Sequence, residues 1–300
     1  MSSRPGAPVR NPSPLTGRLA VVTGAARGLG AAMVRELAGR GARVVLLGRE
    51  AETLEQVADS LAAETHCYAV DVADDAAMTR VAGQIHDRVG SPSVVVANAG
   101  VAEGGPFAES SPATWRRVVE VNLIGSANTA RAFLPGLLAT RGYFLQIAST
   151  AAFGSAPMMS AYCASKAGAE SFAQSLRAEL AHQGVGVGIG YLSWTDTDMI
   201  RDVDRYGVLR ELRAHMPPPA RRVHPVGTVA ARMVSAVERR AATVYAPPWL
   251  RLAQPVRPLL PPLVTWFSAR ELPRLAERTR FEATGLLGAG GRADQAAAEG

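Results

Sequence analysis

Thr23-Gly24-Ala25-Ala26-Arg27-Gly28-Leu29-Gly30 places three glycines within eight residues, directly after the first apolar run of the chain. The run at 18–23 predicts a β-strand, and the apolar periodicity over 30–40 predicts a helix. Glycines between a strand and a helix permit a tight turn and a close approach of the backbone to a pyrophosphate, whose charge suits a helix N-terminus. A purely structural turn is the alternative. The segment therefore predicts a dinucleotide-binding loop.

Short β-branched runs continue to alternate with longer helical stretches along the chain. Runs of four to eight apolar residues without polar alternation indicate a sheet that is covered on both faces. The sequence thus predicts an α/β fold: a doubly wound, parallel, Rossmann-type sheet with helices on both faces. The predicted strands are 18–23, 43–47, 67–70, 93–98, 143–149, 185–192 and 242–246. The predicted helices are 30–40, 52–65, 76–89, 112–141, 160–183, one or two within 199–216, and 227–240.

Composition indicates one well-buried domain, because 48% of the residues are hydrophobic and 19% are charged. We expect a flexible N-terminal arm at 1–14, the main Rossmann-type domain at 15–246, and an amphipathic extension at 247–284. The Gly/Ala-rich tail at 285–300 is predicted to be disordered. Two cysteines without a framework favour a reducing cytoplasm, and the five histidines show no metal-ligand spacing.

The charge of the chain is unevenly distributed. The net charge is +6, and residues 205–280 contain fourteen Arg against four Glu. Solvated helix faces explain this excess most simply, and contact with an anionic membrane surface or an acidic partner is the alternative. No nucleic-acid motif accompanies the charge, so we expect no nucleic-acid partner.

The second predicted strand ends in Leu47-Gly48-Arg49. Proteins that bind NAD usually carry an acid near this point to hold the ribose 2′-hydroxyl, whereas arginine accommodates a 2′-phosphate. Arg27 and Arg49 would supply two guanidinium groups with no carboxylate beside them. The sequence therefore predicts a preference for NADP(H), with NAD(H) as the alternative; Arg49 could also be merely a solvated residue after a strand.

Tyr162 and Lys166 are spaced i and i+4, so a helix places them on one face. Lys166 is the single lysine of the chain, among 32 basic residues. A free phenol has a pKa near 10, and a neighbouring ammonium together with an oxidised nicotinamide would lower it toward the range of a general base. Ser149, at the end of a predicted strand, can hydrogen-bond an oxygen on which charge develops.

With Asn98-Ala99-Gly100 after the fourth strand and Asn122 in the next helix, these motifs occur in order at compatible separations. The chain from 15 to 246 resembles the single-domain branch of the short-chain dehydrogenase/reductase family, and is similar to actinobacterial-type members with a C-terminal extension. The resemblance implies interconversion of an alcohol and a carbonyl by hydride transfer, with Tyr162 as acid/base. It also implies a homodimer or homotetramer.

The same resemblance implies a role for each matching residue. Asn122 would hold a water that relays protons from Lys166, which would also grip the nicotinamide ribose. The remaining implied cofactor contacts are Gly24, Arg27, Gly28, Leu29 and Gly30 at the phosphates, Asp71 and Val72 at the adenine, Asn98, Ala99 and Gly100 at the ribose, and Thr197 at the carboxamide. The chain departs from the family at Leu192-Ser193, where Pro-Gly is usual. Trp194, the next residue, would cover the nicotinamide ring or narrow the substrate entrance.

Apolar residues over a predicted substrate lid at 199–222 favour a lipophilic alcohol or carbonyl, although ordinary core packing explains the same residues. The amphipathic extension predicts packing on its own domain or a neighbouring subunit, with peripheral membrane contact as the sharper alternative. Two other functions stay open: an NADPH-binding sensor and a membrane-peripheral scaffold without turnover. The sequence selects neither the natural substrate nor the direction of the reaction.

Overall fold

The computed structural model describes residues 12–299, so most of the predicted N-terminal arm at 1–14 lies outside the described residues. The described chain contains a parallel sheet of seven strands in the order β3-β2-β1-β4-β5-β6-β7. The strands are β1 Leu19–Thr23, β2 Arg43–Gly48, β3 Thr65–Ala69, β4 Val94–Ala97, β5 Tyr143–Ile147, β6 Gly186–Leu192 and β7 Thr243–Ala246.

The helices before β7 lie in the connections between strands, and the last three helices follow β7. They are α1 Gly28–Gly39, α2 Ala51–Asp59, α3 Asp75–Arg88, α4 Pro112–Val119, α5 Gly125–Thr140, α6 Ser160–Leu180, α7 Asp198–Val203, α8 Gly207–Ala214, α9 Pro218–Arg221, α10 Val226–Glu238, α11 Leu250–Ala253, α12 Leu260–Ala276 and α13 Gly288–Glu299. A π-helical turn, Glu120–Ile124, joins α4 to α5. The helix predicted at 112–141 is therefore continuous but locally widened.

Two apolar clusters cover the two faces of the sheet. Val21, Val45 and Phe144 belong to one cluster, and their sequence neighbours Val22 and Val44 belong to the other. Successive strand residues point to opposite faces, so both neighbours are buried when helices cover both sides. The predicted doubly wound α/β fold is confirmed. The strand order reverses between β1 and β4, which opens a crevice at the carboxyl ends of these strands.

The segment after β6 builds a wall beside that crevice. Helices α7 and α8 bury Val203, Val208 and Leu209 in a small cluster with Ala102 and Leu287. Helices α11 and α12 then return along the domain. Within residues 12–299, the helices are all too short or too polar to cross a bilayer.

An ion pair and buried leucines help to fasten the extension to the domain. Arg257 contacts the carboxylate of Glu170, which is almost fully buried on α6, at 2.6 Å. Leu250 and Leu275 of the extension are buried, and Leu250 belongs to one of the two core clusters. One side of the extension therefore packs on its own domain, as one of the two sequence alternatives predicted.

The prediction of a disordered tail at 285–300 is wrong for its greater part, because Gly288–Glu299 forms helix α13. Polar contacts rather than apolar burial fix this helix: the backbone N–H of Gly288 donates to Asp202 at 2.8 Å, and Arg292 pairs with the same carboxylate. A Gly/Ala-rich composition predicts too little buried apolar surface for a fold of its own. It does not exclude a helix that docks on a finished domain.

Candidate active site

The glycine loop between β1 and α1 is closed against the loop that follows β4. Gly24 has a φ of +64°, and a Cβ there would lie 2.8 Å from the Cα of Ala99. A Cβ on Gly30 would lie 2.0 Å from the carbonyl oxygen of Gly24. Both positions thus require glycine, one for its backbone conformation and both for space. Gly28, Leu29 and Gly30, the first residues of α1, line the crevice, at the place where the amides of a helix N-terminus can bind a phosphate.

Thr23 and Asn98 lock these two loops together. The Thr23 hydroxyl accepts hydrogen bonds from the backbone N–H groups of Asn98 at 3.0 Å and Ala99 at 3.1 Å. The Asn98 side chain donates to the carbonyl oxygen of Thr23 at 3.0 Å. Sequence reasoning assigned Asn98 to the cofactor ribose and did not give Thr23 a role. The role of Thr23 could have been inferred from its position, because its hydroxyl is at the last residue of a buried strand, next to the glycine loop.

Ser149, Tyr162 and Lys166 come together on the floor of the crevice. The Ser149 side chain neighbours the Tyr162 phenol, and its hydroxyl accepts from the backbone N–H of Ala151 at 3.1 Å. The Lys166 amine lies 5.7 Å from the centre of the Tyr162 ring and donates to the carbonyl oxygen of Ile147 at 3.3 Å. β5 delivers Ser149 and the first turns of α6 deliver the other two. The three predicted residues therefore share one site.

The electrostatics of this site differ from the sequence expectation. Burial raises the pKa of Tyr162 to about 12, and the hydrogen bond from Ser149 opposes that rise. Burial also lowers the pKa of Lys166 to about 8. Desolvation penalises the charged form of both groups, so the protein's own groups do not produce the lowered phenol pKa that the i, i+4 spacing suggested. A lowered value needs a further positive charge at the phenol.

Asn122 is fully buried in the π-helical turn. Its side-chain oxygen accepts from the backbone N–H of Val101 at 2.9 Å, and its amide donates to the Val101 carbonyl and the Ser165 hydroxyl, each at 2.9 Å. The residue thus fixes the loop after β4 against α6, one position before Lys166. The side chain lies behind the crevice rather than on its wall.

The crevice is a continuous cavity of about 1120 Å³ that runs from the glycine loop past Tyr162 to the extension. Every predicted site residue except Asn122 lines it: Gly24, Arg27, Gly28, Leu29, Gly30, Arg49, Asp71, Val72, Asn98, Ala99, Gly100, Ser149, Tyr162, Lys166 and Thr197. A cavity of this size with glycine-lined phosphate positions and convergent polar groups fits a dinucleotide together with a substrate.

Carboxylates accompany the two arginines that were expected to meet a 2′-phosphate. Arg27 pairs with Glu50, and Arg49 pairs with Asp294 of α13. The interpretation that no carboxylate lies near these guanidinium groups is therefore wrong. Glu50 was visible in the sequence as the next residue after Arg49. Asp294 was not, because 245 positions separate it from Arg49.

The predicted adenine and carboxamide positions also have neighbours that the sequence did not reveal. Asp71 pairs with Arg117 of α4 and accepts from the backbone N–H of Ala73 at 2.9 Å. A Cβ on Gly28 would lie 3.3 Å from the methyl group of Thr197, so the segment after β6 closes on the glycine loop. Thr197 reaches this place although Leu192-Ser193 replaces the usual Pro-Gly.

The far end of the cavity is apolar. Trp194 lines it, with the guanidinium of Arg213 5.4 Å from its ring centre. The remaining apolar lining comes from three parts of the chain: Phe153 and Met159 before α6; Met199, Ile200, Leu209, Leu212 and Met216 in the lid; and Trp249, Leu260, Leu263, Val264, Trp266 and Phe267 in the extension. The extension, which was not predicted to reach the substrate, supplies a large share of this wall.

Comparison with known proteins gives concordant matches. The family model described as short chain dehydrogenase matches residues 18–206. Dehydrogenase/reductase SDR family member 7B from Bos taurus is 32% identical over 259 residues, which cover 81% of this chain and 78% of that protein. A metagenomic short-chain oxidoreductase solved in complex with NADP is 36% identical with a TM-score of 0.57, over 59% of this chain and 82% of that one. A short chain dehydrogenase/reductase from Burkholderia phymatum, solved in complex with NAD, is 26% identical with a TM-score of 0.70, over 80% of this chain and 92% of that one.

Proposed function

Since the chain belongs to the short-chain dehydrogenase/reductase family, we propose that it interconverts a lipophilic alcohol and its carbonyl with NADP(H), using Tyr162 as acid/base. Family membership makes it an oxidoreductase with a nicotinamide cofactor. The observation that carries the proposal is the convergence of Ser149, Tyr162 and Lys166 on one part of the cavity that begins at the glycine loop, with the Lys166 amine 5.7 Å from the centre of the Tyr162 ring.

The glycine loop, Asn98 and the predicted residues around them would hold the dinucleotide. Arg27 and Arg49 support a 2′-phosphate, and the NADP complex of the 36% identical protein agrees with them. The NAD complex of the 26% identical protein and the carboxylates at Glu50 and Asp294 keep NAD(H) as the alternative.

When bound, the nicotinamide supplies or accepts the hydride. Tyr162 donates its phenolic proton to the carbonyl oxygen in the reducing direction and takes it back in the oxidising one. Ser149 hydrogen-bonds the same oxygen as negative charge develops on it. Lys166 would help to stabilise the phenolate that remains, because its ammonium lies 5.7 Å from the ring centre and the bound nicotinamide adds the further positive charge in the oxidised state. Asn122 fixes the loop behind this site and, by family resemblance, holds the water through which Lys166 exchanges protons.

A lipophilic substrate is supported by the apolar end of the cavity, where Trp194, Trp249 and Phe267 provide large surfaces with few hydrogen-bonding groups. A sugar would leave its hydroxyl groups without partners there. The lid at 199–222 and the extension would close over the substrate from opposite sides.

The exposed side of the extension is proposed to contact an anionic membrane surface. Leu252, Leu259, Leu263 and Trp266 are each more than half exposed, and Leu263 and Trp266 also line the cavity. Arg270 stacks on Trp266 with 3.7 Å between guanidinium carbon and ring centre, a pairing of aromatic and cation that suits a lipid interface. A lipophilic substrate could then pass from the membrane into the cavity without crossing water. Homo-oligomerisation, as the family implies, is proposed for the assembly.

The decisive experiment measures turnover of a panel of lipophilic ketones and aldehydes by the wild-type protein and by Tyr162→Phe. We expect the variant to lose about 10²- to 10⁴-fold in kcat, because it lacks the proton that the carbonyl oxygen must receive. Tyr68→Phe, on the edge strand β3, is the matched control and should retain full activity. Undiminished activity of Tyr162→Phe would refute the mechanism. Tight nucleotide binding without turnover of any carbonyl would instead favour the sensor.

A further inference from the structure

Helix α13 lies across the cofactor end of the cavity. The backbone N–H of Leu287 donates to the carbonyl oxygen of Ala102 at 2.8 Å, on the loop after β4. One residue later, Gly288 donates to Asp202 of α7, which also pairs with Arg292. The helix is thus fastened to both the sheet and the lid. Its residues Gly288 to Gly291 line the cavity opposite the glycine loop.

Asp294 carries the carboxylate of α13 into this cavity. It is 5% exposed and pairs with Arg49 at the end of β2. The guanidinium of Arg117 also contacts it, with distances of 2.8 Å from Nε and 2.9 Å from Nη2 to the two carboxylate oxygens. The bidentate contact from Arg117, together with the ion pair to Arg49, makes a strong and directional set of contacts on a buried carboxylate.

The cations around this point are already matched by carboxylates. Arg27 pairs with Glu50, Arg49 with Asp294, and Arg117 with both Asp294 and Asp71. A phosphate that approaches Arg49 must therefore meet a buried carboxylate at the same guanidinium. Like charges that share a site repel strongly where water is excluded.

We propose that Asp294 competes with the 2′-phosphate of NADP(H) for Arg49, so that α13 sets the cofactor preference of this enzyme. The inference rests on the proposed function, in which Arg49 binds that phosphate. NAD(H) carries a hydroxyl group at the same ribose position, and a hydroxyl group can donate to a carboxylate. Asp294 therefore reduces the preference for NADP(H) that Arg49 confers, without reversing it, and leaves the binding of NAD(H) little changed.

The test titrates the full-length protein with NADPH and with NADH and follows the dissociation constants calorimetrically. For Asp294→Asn, we expect the NADPH affinity to rise about tenfold while the NADH affinity stays the same or falls, a coupling of ordinary size for two ligands of one site. The shift is expected even if the variant loosens α13, because the carboxylate then leaves Arg49 as well. Glu282→Gln, an exposed carboxylate before α13, is the charge-matched control and should change neither constant.

Arg49→Gln separates this inference from the proposed function. If Arg49→Gln weakens NADPH selectively and Asp294→Asn leaves the ratio of the two affinities unchanged, Asp294 does not compete and the inference fails alone. If Arg49→Gln changes the affinities for NADPH and NADH equally, Arg49 does not bind the 2′-phosphate, and both the proposed NADP(H) site and the inference fail.

Hydrogen–deuterium exchange of α13 gives a second readout that does not depend on affinity. Saturating NADPH should speed the exchange of the amides of 288–299, because the phosphate displaces Asp294 from Arg49. NADH should not. Equal protection by both nucleotides would overturn the inference.

Discussion

The amine of Lys166 is held inside the protein, and this has a consequence for stability. Because burial lowers its pKa from 10.5 to about 8, the native state binds fewer protons than the unfolded state between these two values. The free energy of unfolding contributed by this group therefore rises with pH in that window. Relative to Lys166→Met, the wild type should gain about 2 kcal/mol between pH 8 and pH 10.

Urea unfolding of both proteins at pH 8, 9 and 10 measures this difference. The comparison with Lys166→Met is necessary because the pKa values of Cys67, Cys163 and Tyr162 are raised and act in the opposite direction above pH 9. Parallel pH profiles for the two proteins would mean that the amine is not desolvated in the native state.

Gly30 gives a second prediction at the residue scale. A methyl group there would collide with the carbonyl oxygen of Gly24, so Gly30→Ala must displace the loop backbone. We expect it to lose about 3 kcal/mol of unfolding free energy and measurable nucleotide binding. Gly83→Ala, in α3 with no heavy atom within 4 Å of the added carbon, is the matched control. It should gain up to about 1 kcal/mol, because alanine favours a helix. Equal thermal denaturation of the two variants would contradict the geometry.

Local spacing explains which site residues were predictable. Tyr162 and Lys166 share a helix face by their separation alone, and Ser149 ends the preceding strand. The partners of the arginines were not predictable in the same way. Arg49 and Asp294 meet only after the whole domain has folded, and no periodicity links them. The pKa of Tyr162 likewise depends on how deeply the site is enclosed, which a motif does not state.

At the scale of elements, the extension depends on the pair between Glu170 and Arg257. Glu170 also accepts from the Tyr191 hydroxyl at 2.8 Å and is almost fully buried. Arg257→Met should therefore lower the free energy of unfolding by about 2 kcal/mol. This is less than for a fully buried pair, because the Arg257 side chain is 34% exposed. Thermal unfolding measures the loss. The double variant Arg257→Met, Glu170→Gln should recover most of the lost free energy of unfolding, because it removes both charges. If its loss instead equals the sum of the losses of the two single variants, the two residues do not interact directly.

The strands and crossover helices follow from apolar periodicity, and most observed bounds lie within three residues of the predicted ones. The helix predicted at 52–65 is the exception, because α2 ends at Asp59 and Thr65 already belongs to β3. Two elements do not follow from this periodicity. The π-helical turn at Glu120–Ile124 adds a residue to one turn without changing the apolar pattern. Helix α13 has a composition that favours disorder, and its contacts with Asp202 and Arg49 supply what its own residues lack.

At the scale of the whole molecule, the exposed apolar side chains of the extension lead to a prediction about membranes. The wild type should float with vesicles that contain anionic lipid and less with neutral ones, because arginines surround these side chains. Replacing Leu259, Leu263 and Trp266 with Gln should abolish flotation. Light scattering of the same variant tests whether a second copy of the chain covers this surface instead of a membrane. If the wild type does not float and the variant changes from dimer to monomer, the surface is a subunit interface.

The buried position of Lys166 allows local unfolding of α6 to be measured by proteolysis. An endoproteinase that cleaves only after lysine has one target bond in the entire sequence, and that bond lies inside α6, where Lys166 lines the cavity. Digestion can therefore yield just two fragments, and only from molecules in which this helix has come apart. The rate at which the intact band disappears on a gel would therefore measure local unfolding of α6 around Lys166, without interference from cleavage in loops or at the ends of the chain.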